Sequence, residues 1–462
     1  MDVMVGLSLL YAGIVVLNVG LSALLWWNSR HPLHRGLLAV WAATMLGFVS
    51  QGATATATEP LTIVLGFAPV VAVNLALASL LGTLLDVRVP WRSSAALFGV
   101  GVVSAIGLSA VGAGFTAIAL PVCLAIVYPL VALVFRGGRS RWQDLSTSGR
   151  VLLVTCLVFN LHNLDFAVLR PLADFAAAGL TVAILIVFAL SVSAPAVVME
   201  RTAAAEAQAS AEMDVARLIQ SRLMSDVPAD LPGLEVAAYA RPADAVGGDY
   251  YDIHSDAERD WILLGDVTGH GLGAGLVMLM AHSVLSALLT SAPDLSPAEL
   301  NFRANRVLHR SMQRLGESKS MTIVAVCRDR ATGEMVLSGD HDSVLVHRRA
   351  TGAVEEVEVG QVPHALGFMD EFEREEFGED PLSLAPGDLM LLATDGISEA
   401  ARGGVDSAGH FSDERIIDLL TRHANEPLPT IRDHLVAELE AWTEGTYLDD
   451  VTFLLVRAAD AA

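Results

Sequence analysis

Acidic residues at the ends of apolar runs, beside glycine or turn residues, are the first feature of this chain with chemical potential. Asp249 stands in VGGDYYD, Asp266 in LLGDVTGHG, Asp395 in LLATDGISEA, and Asp449 with Asp450 in YLDDVTFLLV. An aspartate at a strand end can aim its carboxylate at a common point, while a neighbouring glycine lets the backbone come close. Ionised carboxylates gathered at one point repel one another and call for cations. Their oxygens suit hard divalent ions, Mg or Mn. No His or Cys cluster supports zinc. Cys123, Cys156 and Cys327 are far apart and suggest neither disulfides nor a thiol nucleophile. Singly, each motif also reads as an ordinary Asp-Gly turn, a bulge at Gly247-Gly248 or a solvated loop. Their joint order and spacing carry the information.

The elements that must position these acids lie beyond about residue 233. Short apolar runs such as LEVAAYA, WILLGDV, MTIVAVCR, DLMLLATDG and VTFLLVR read as strands. GAGLVMLMAHSVLSALL, SPAELNFRANRVLHRSM, SDERIIDLLTRHA and PTIRDHLVAELEAWTEG read as helices. Strands in groups with helices in pairs predict an α+β fold, a sandwich whose sheets are covered by helices.

The first part of the chain is of another kind. Residues 1–200 carry nine Arg, seven Asp or Glu and no Lys, whereas the remainder holds 20 basic and 45 acidic residues, within an overall 53 % apolar composition. The acidic part is a poor match for nucleic acid, which wants a basic face. Seven apolar stretches, near 4–27, 36–54, 61–85, 94–111, 114–135, 150–169 and 176–198, have the roughly 20 residues that a bilayer-crossing helix needs. Only Gly112, Ala113 and Gly114 part the fourth from the fifth. Asp2 replaces the basic start of a cleaved signal, and further spans follow directly. Arg30, Arg35, Arg88, Arg92, Arg136, Arg139, Arg141 and Arg150 follow odd-numbered spans, as does Arg201. The intervening loops hold only Arg170. By the positive-inside rule the N-terminus is outside and residues 199–462 are cytoplasmic, which predicts a multi-pass protein of the inner membrane.

Within the sixth span, Asn160, His162, Asn163 and Asp165 are polar groups in an apolar helix. Such groups are costly there and often functional, so they form a candidate sensor site. Hydrogen bonding to neighbouring helices is the other reading. After the last span, ERTAAAEAQASAEMDVARLIQSRLM favours helix. It is either a solvated spacer or a dimerising helix with a seam through Met213, Ala216, Gln220 and Leu223. The expected divisions are 1–199 for the membrane domain, 200–227 for the linker and 228–462 for the catalytic domain, with Pro228 and Pro232 ending the linker helix.

Residues 213–459 resemble the PPM-type metal-dependent serine/threonine phosphatases, in their bacterial SpoIIE-like, RsbU-like branch. MDVARLIQSRLM, RPADAVGGDYYD, LLGDVTGHGLGAGLVM, MTIVAV, GDHDSVLVHR, APGDLMLLATDGISEA and LDDVTFLLVR follow in the family's order. The resemblance implies a β-sandwich flanked by helices, joined here to an N-terminal all-α transmembrane bundle of about seven spans. It also implies two divalent ions, Mn or Mg, that activate a water for attack on a phosphoester without a phosphoenzyme. Asp266 would bridge the two ions and the Val267 carbonyl would bind one. Asp249 would serve the second metal; Asp395 and Asp449 would serve the first, with Asp450 in support. His270 is a candidate for phosphate contact or for turn geometry alone, and Arg241 is a weak substitute for the phosphate-gripping Arg of animal members. SGDHDS at 338–343 departs from the family's Ala-Gly-His-Pro-Pro. The implied substrate is a phosphorylated regulatory protein, such as an anti-sigma-factor antagonist. A pseudophosphatase that acts as a membrane-linked scaffold is the alternative, and a transporter regulated by its cytoplasmic domain is a third.

Overall fold

The computed structural model describes residues 3–54, 56–138, 143, 145–172, 176–224, 231–316, 318–341, 344–360, 365–369 and 371–459. Asp2, Arg139, Arg141, Pro228 and residues 342–343, invoked above, lie outside these. The chain divides into two compact units, Met1–Gln208 and Ala209–Ala462.

In the first unit the helices are α1 (Val3–Ser29), α2 (Pro32–Ala53), α3 (Pro60–Phe67), α4 (Val70–Leu85), α5 (Trp91–Ala110), α6 (Phe115–Leu133), α7 (Thr147–Leu169) and the start of α8 (Ala176–Leu223). The third apolar stretch is broken between α3 and α4, where Pro69 lacks the N–H that would continue the ladder. The Val111–Gly114 turn does separate α5 from α6. Those helices then pack so closely that a Cβ at Gly101 would sit 2.7 Å from the Pro121 carbonyl. Leu37, Trp41, Leu77, Leu80, Leu130 and Leu152 form the core, while Leu9, Leu17, Leu21 and Leu24 of α1 face outward and are more than half exposed. Water would penalise so much bare apolar surface, and lipid would cover it. Of the apolar window in each helix, 56 % is buried in α6 but 39 % in α7, so α6 is the more central of the two. On α7, Asn160 and Asn163 are buried, and His162 pairs with Asp165 at 3.1 Å on a more open side.

Among the described residues eight helices are long and apolar enough to cross a membrane. The eighth is α9 (Gly271–Ser291), and it belongs to the second unit. Its Ala274, Val277, Met278, Ala281 and Leu285 are buried with Tyr250, Trp261 and Leu263 of a sheet, so sandwich packing accounts for its hydropathy.

That second unit is a sandwich of two antiparallel sheets. One has the order β1 (Leu234–Arg241), β10 (Val451–Ala458), β9 (Leu389–Ala393), β6 (Val344–His347), β7 (Val354–Val357). The other has β2 (Tyr250–Ser255), β3 (Arg259–Val267), β4 (Met321–Asp329), β5 (Met335–Asp340), β8 (Asp380–Leu382). Side chains alternate between faces. Ile262 and Leu264 therefore meet Leu454 and Val456 between the sheets, whereas Trp261 and Leu263 face α9 and α10 (Pro297–Leu315). On the other side, Phe453 and Leu455 pack under α12 (Asp413–His423) and α13 (Leu428–Thr443). A single turn, α11 (Asp395–Ser398), follows β9.

Candidate metal centre

The strand alternation that builds the inter-sheet core also aims the acids. Asp266 continues the Ile262, Leu264 phase of β3, and Asp249 continues the Tyr251, Ile253 phase backwards from β2, so both project between the sheets where the apolar filling ends. Thr394 and Thr452 come from the opposite sheet in the Met390, Leu392 and Leu454, Val456 phases. Thr394 Oγ1 donates to Asp249 Oδ2 at 3.0 Å and links the two sheets at this end. Asp395 follows at once as the first residue of α11. Asp450, buried, accepts hydrogen bonds from the backbone N–H of Ala243 at 2.7 Å and of Gly248 at 2.5 Å, which shapes the turn before Asp249. That turn presses on β3: a Cβ at Gly248 would stand 2.8 Å from the Val267 carbonyl, so only glycine permits the approach. Likewise a Cβ at Gly396 would run into the Asp450 carbonyl.

The electrostatics of these acids differ from those of the other buried ones. Asp260 is neutralised by Arg328 at 3.1 Å and Arg330 at 2.8 Å, and Asp388 by Arg348 at 3.0 Å. Among the described residues no basic side chain pairs with Asp249 or Asp266. Burial, then the Asp266 carboxylate, holds the Asp249 carboxyl well above its ordinary range. Burial, then Asp395 and Asp449, pushes Asp266 up to about 7. Asp249 Oδ1 is buried without a hydrogen-bond partner. An orphaned carboxylate oxygen, mutually repelling acids and a close carbonyl are a donor set that fits hard divalent cations. Asp266 and Asp395 also line a cavity of about 180 Å³ with Thr322, Asp340 and His341.

The remaining candidate residues separate by environment. Asp449 is exposed beside the buried Asp450 and acts on Asp266 electrostatically. His270 is exposed at the start of α9, its Nδ1 2.7 Å from Asp244 Oδ2, a bond that raises its pKa. Arg241 is committed elsewhere: it pairs with Glu440 at 3.3 Å, donates to the Gly445 carbonyl and lies 4.2 Å over the Tyr447 ring. Asn160, His162, Asn163 and Asp165 belong to the other unit and form no part of this centre.

Three features escaped the sequence reading. Gln220 is not part of an outward seam. It is buried, and its amide donates from Nε2 to the Gly247 carbonyl at 2.7 Å and accepts from the Gly247 N–H at 3.1 Å. Met213 and Ala216 are half-buried, while Val215, Leu218 and Ile219 form the exposed apolar face of α8. Lys319 Nζ donates to the Thr268 carbonyl at 2.7 Å. As the sole lysine of the chain it carried a compositional signal. His341, within SGDHDS, is buried beside Thr322, and burial drives its pKa down to about 4, so a neutral imidazole lines the cavity.

Residues 256–459 match the family model described as stage II sporulation protein E (SpoIIE). The phosphoserine phosphatases RsbP and RsbU of Bacillus subtilis (strain 168) are each 23 % identical to this chain, over 252 and 189 residues. The matches cover 53 % and 41 % of this chain and 57 % and 53 % of the relatives. The solved SiaA-PP2C domain of Pseudomonas aeruginosa is 27 % identical with a TM-score of 0.48, covering 55 % of this chain and 99 % of that one. Sandwich, cleft and acids together define a PP2C-type phosphatase domain. Residues 256–459 match the SpoIIE family as such a domain, and this part of the chain is similar to RsbP and RsbU. The chain spans about half the length of the curated relatives it matches.

Proposed function

We propose that the chain is a membrane-anchored protein phosphatase that removes phosphate from serine or threonine in a regulatory phosphoprotein. The observation that carries this reading is the meeting of Asp249 and Asp266, which no basic side chain among the described residues pairs with and whose pKa values are pushed up, at the cleft that Asp395 borders. Asp249, Asp266, the Val267 carbonyl, Asp395 and Asp449 would hold two divalent ions, Mn or Mg, whose chemistry when bound would be to acidify a water for in-line attack and to neutralise charge on the transferring phosphoryl group. Thr394 orients Asp249, and Asp450 fixes the turn that delivers it. His270, whose pKa the hydrogen bond to Asp244 raises, stands at the rim where its protonated form would face the phosphate.

The similarity to two phosphoserine phosphatases favours phosphoserine, and the RsbU-like resemblance favours a phosphorylated anti-sigma-factor antagonist. The bundle sits in the inner membrane with the N-terminus outside. In support, Glu200 accepts from Ser146 Oγ at 2.8 Å and Arg201 donates to the Leu84 carbonyl at 3.5 Å. The ends of α4 and α8's apolar stretch and the start of α7 therefore share one end of the bundle. The Asn160, His162, Asn163, Asp165 cluster is the sensing element. Val215, Leu218 and Ile219 pair two copies of the chain through the linker. The test is phosphate release from a phosphoserine peptide by the full chain in lipid vesicles. Release that needs Mn²⁺ or Mg²⁺, stops with chelator and survives thiol alkylation is expected. Release undiminished by chelator would contradict the reading.

A further inference from the structure

The geometry points to a second metal site of different chemistry, in which His423, Glu426 and His434 bind one zinc-class ion, Zn²⁺, Co²⁺ or Ni²⁺, at the hairpin between α12 and α13. Among the described residues these three offer one ligand atom each, all within 4.8 Å of one another. His423 Nδ1 lies 2.9 Å from Glu426 Oε1, and His434 Nε2 lies 3.2 Å from Glu426 Oε2. Ligands on a tetrahedral zinc, at about 2.0–2.2 Å from the metal, stand roughly 3.3–3.5 Å apart, so small side-chain rotations complete the site.

Two further facts favour a metal over a plain ion pair. First, the two imidazoles are stacked with centroids 4.2 Å apart and 29° between planes, their nitrogens turned to the same carboxylate. Two adjacent imidazolium ions repel, and one carboxylate compensates only one of them. A single divalent cation satisfies both rings in their neutral form. Second, the loop that presents Glu426 is held rigid. Arg457 of β10 donates to the Ala424 carbonyl at 2.7 Å and to the Glu426 carbonyl at 2.8 Å, and the Glu426 N–H returns to the His423 carbonyl at 2.9 Å. Preorganisation of this kind lowers the cost of assembling ligands.

Two imidazoles and one carboxylate select Zn²⁺, Co²⁺ or Ni²⁺, whereas the cleft acids are an all-oxygen set that suits Mg²⁺ or Mn²⁺. The bound ion would tie α12 to α13, and α12 gives Asp413 and Ile416 to a 350 Å³ cavity beside Asp395.

The full chain in detergent, stripped with chelator and titrated with Co²⁺ alone, tests the proposal by visible absorption. One equivalent with the ligand-field bands of nitrogen-ligated cobalt is expected, retained in Asp266→Asn and lost in both His423→Ala and His434→Ala. Glu426→Gln, which keeps the fold and both rings, should weaken binding at least tenfold, as should Zn²⁺ competition against the cobalt signal. Absence of the bands in the parent, their persistence in either histidine variant, or their loss in Asp266→Asn alone would overturn the second site.

Discussion

Asp266 and Asp249 are gathered as mutually repelling carboxyls at a cost to the fold. Burial and neighbouring carboxylates raise the Asp266 pKa from 3.8 to about 7. A carboxyl whose pKa is higher in the folded chain than in the unfolded chain binds its proton better when folded. Its stabilising effect is complete below about pH 4 and is lost as pH rises through about 7. In chelator, therefore, the melting temperature of the catalytic unit should fall between pH 5 and 8. Asp266→Asn should flatten that fall and raise the pH 8 midpoint by roughly 3 °C or more, since ~1 kcal/mol moves a domain of this size by about 2–4 °C. Calorimetry of both proteins across that range is the check, and an unchanged slope in the variant would count against the electrostatic account. These acids were legible because each stands beside glycine at the end of an apolar run. Their environment was not, because burial, Thr394 and the want of a basic partner among the described residues are products of packing. Arg241 shows the converse: a basic residue three positions from Asp244 looked available for phosphate, but Glu440, Gly445 and Tyr447, some 200 residues away in sequence, occupy it.

Strand identity was readable from period-two alternation, since Ile262, Leu264 and Asp266 point one way and Trp261, Leu263 the other. The same period that fills the core predicts which acids meet. Helix α8 was harder. Its composition gives helix, yet the face it buries depends on partners that only the fold supplies. Gln220, read by spacing as a seam residue, instead clamps Gly247 with two hydrogen bonds. Gly247 is two residues from Asp249, so the end of α8 positions a proposed metal ligand. Truncation leaves a buried N–H and C=O unpaired, at about 1–3 kcal/mol. Gln220→Ala should raise the Mn²⁺ concentration for half-maximal activity about tenfold while leaving turnover at saturating Mn²⁺ within about threefold. A Mn²⁺ titration measures this, and an unshifted midpoint would reduce Gln220 to packing. The His423, Glu426, His434 group was invisible for a similar reason: its spacing crosses a helix end, a loop and a new helix, and only the αα-hairpin folds it together.

At the scale of the whole molecule the sequence divides by charge and hydropathy, and the two compact units meet within α8, at Gln208 and Ala209. The eight long apolar helices among the described residues include α9, which packs on a sheet of the second unit. Arginine placement makes the topology testable. Reporters fused after residues 58 and 172 should read outside, and those after 34, 90, 142 and 205 inside. A cytoplasmic signal at 58 or 172 would break the seven-span arrangement.

The central claim is that the cleft acids bind two ions and that this binding is the catalysis. Its most direct measurement is the full chain and Asp266→Asn side by side in vesicles, scored for Mn²⁺ stoichiometry and for phosphate release from a phosphoserine peptide. The account predicts two Mn²⁺ bound at the cleft in the parent. It predicts loss of at least one in the variant and a fall in turnover of roughly 10³-fold or more, about 4 kcal/mol, with the fold intact. A folded Asp266→Asn protein that hydrolyses the peptide at near-parental rate would contradict it.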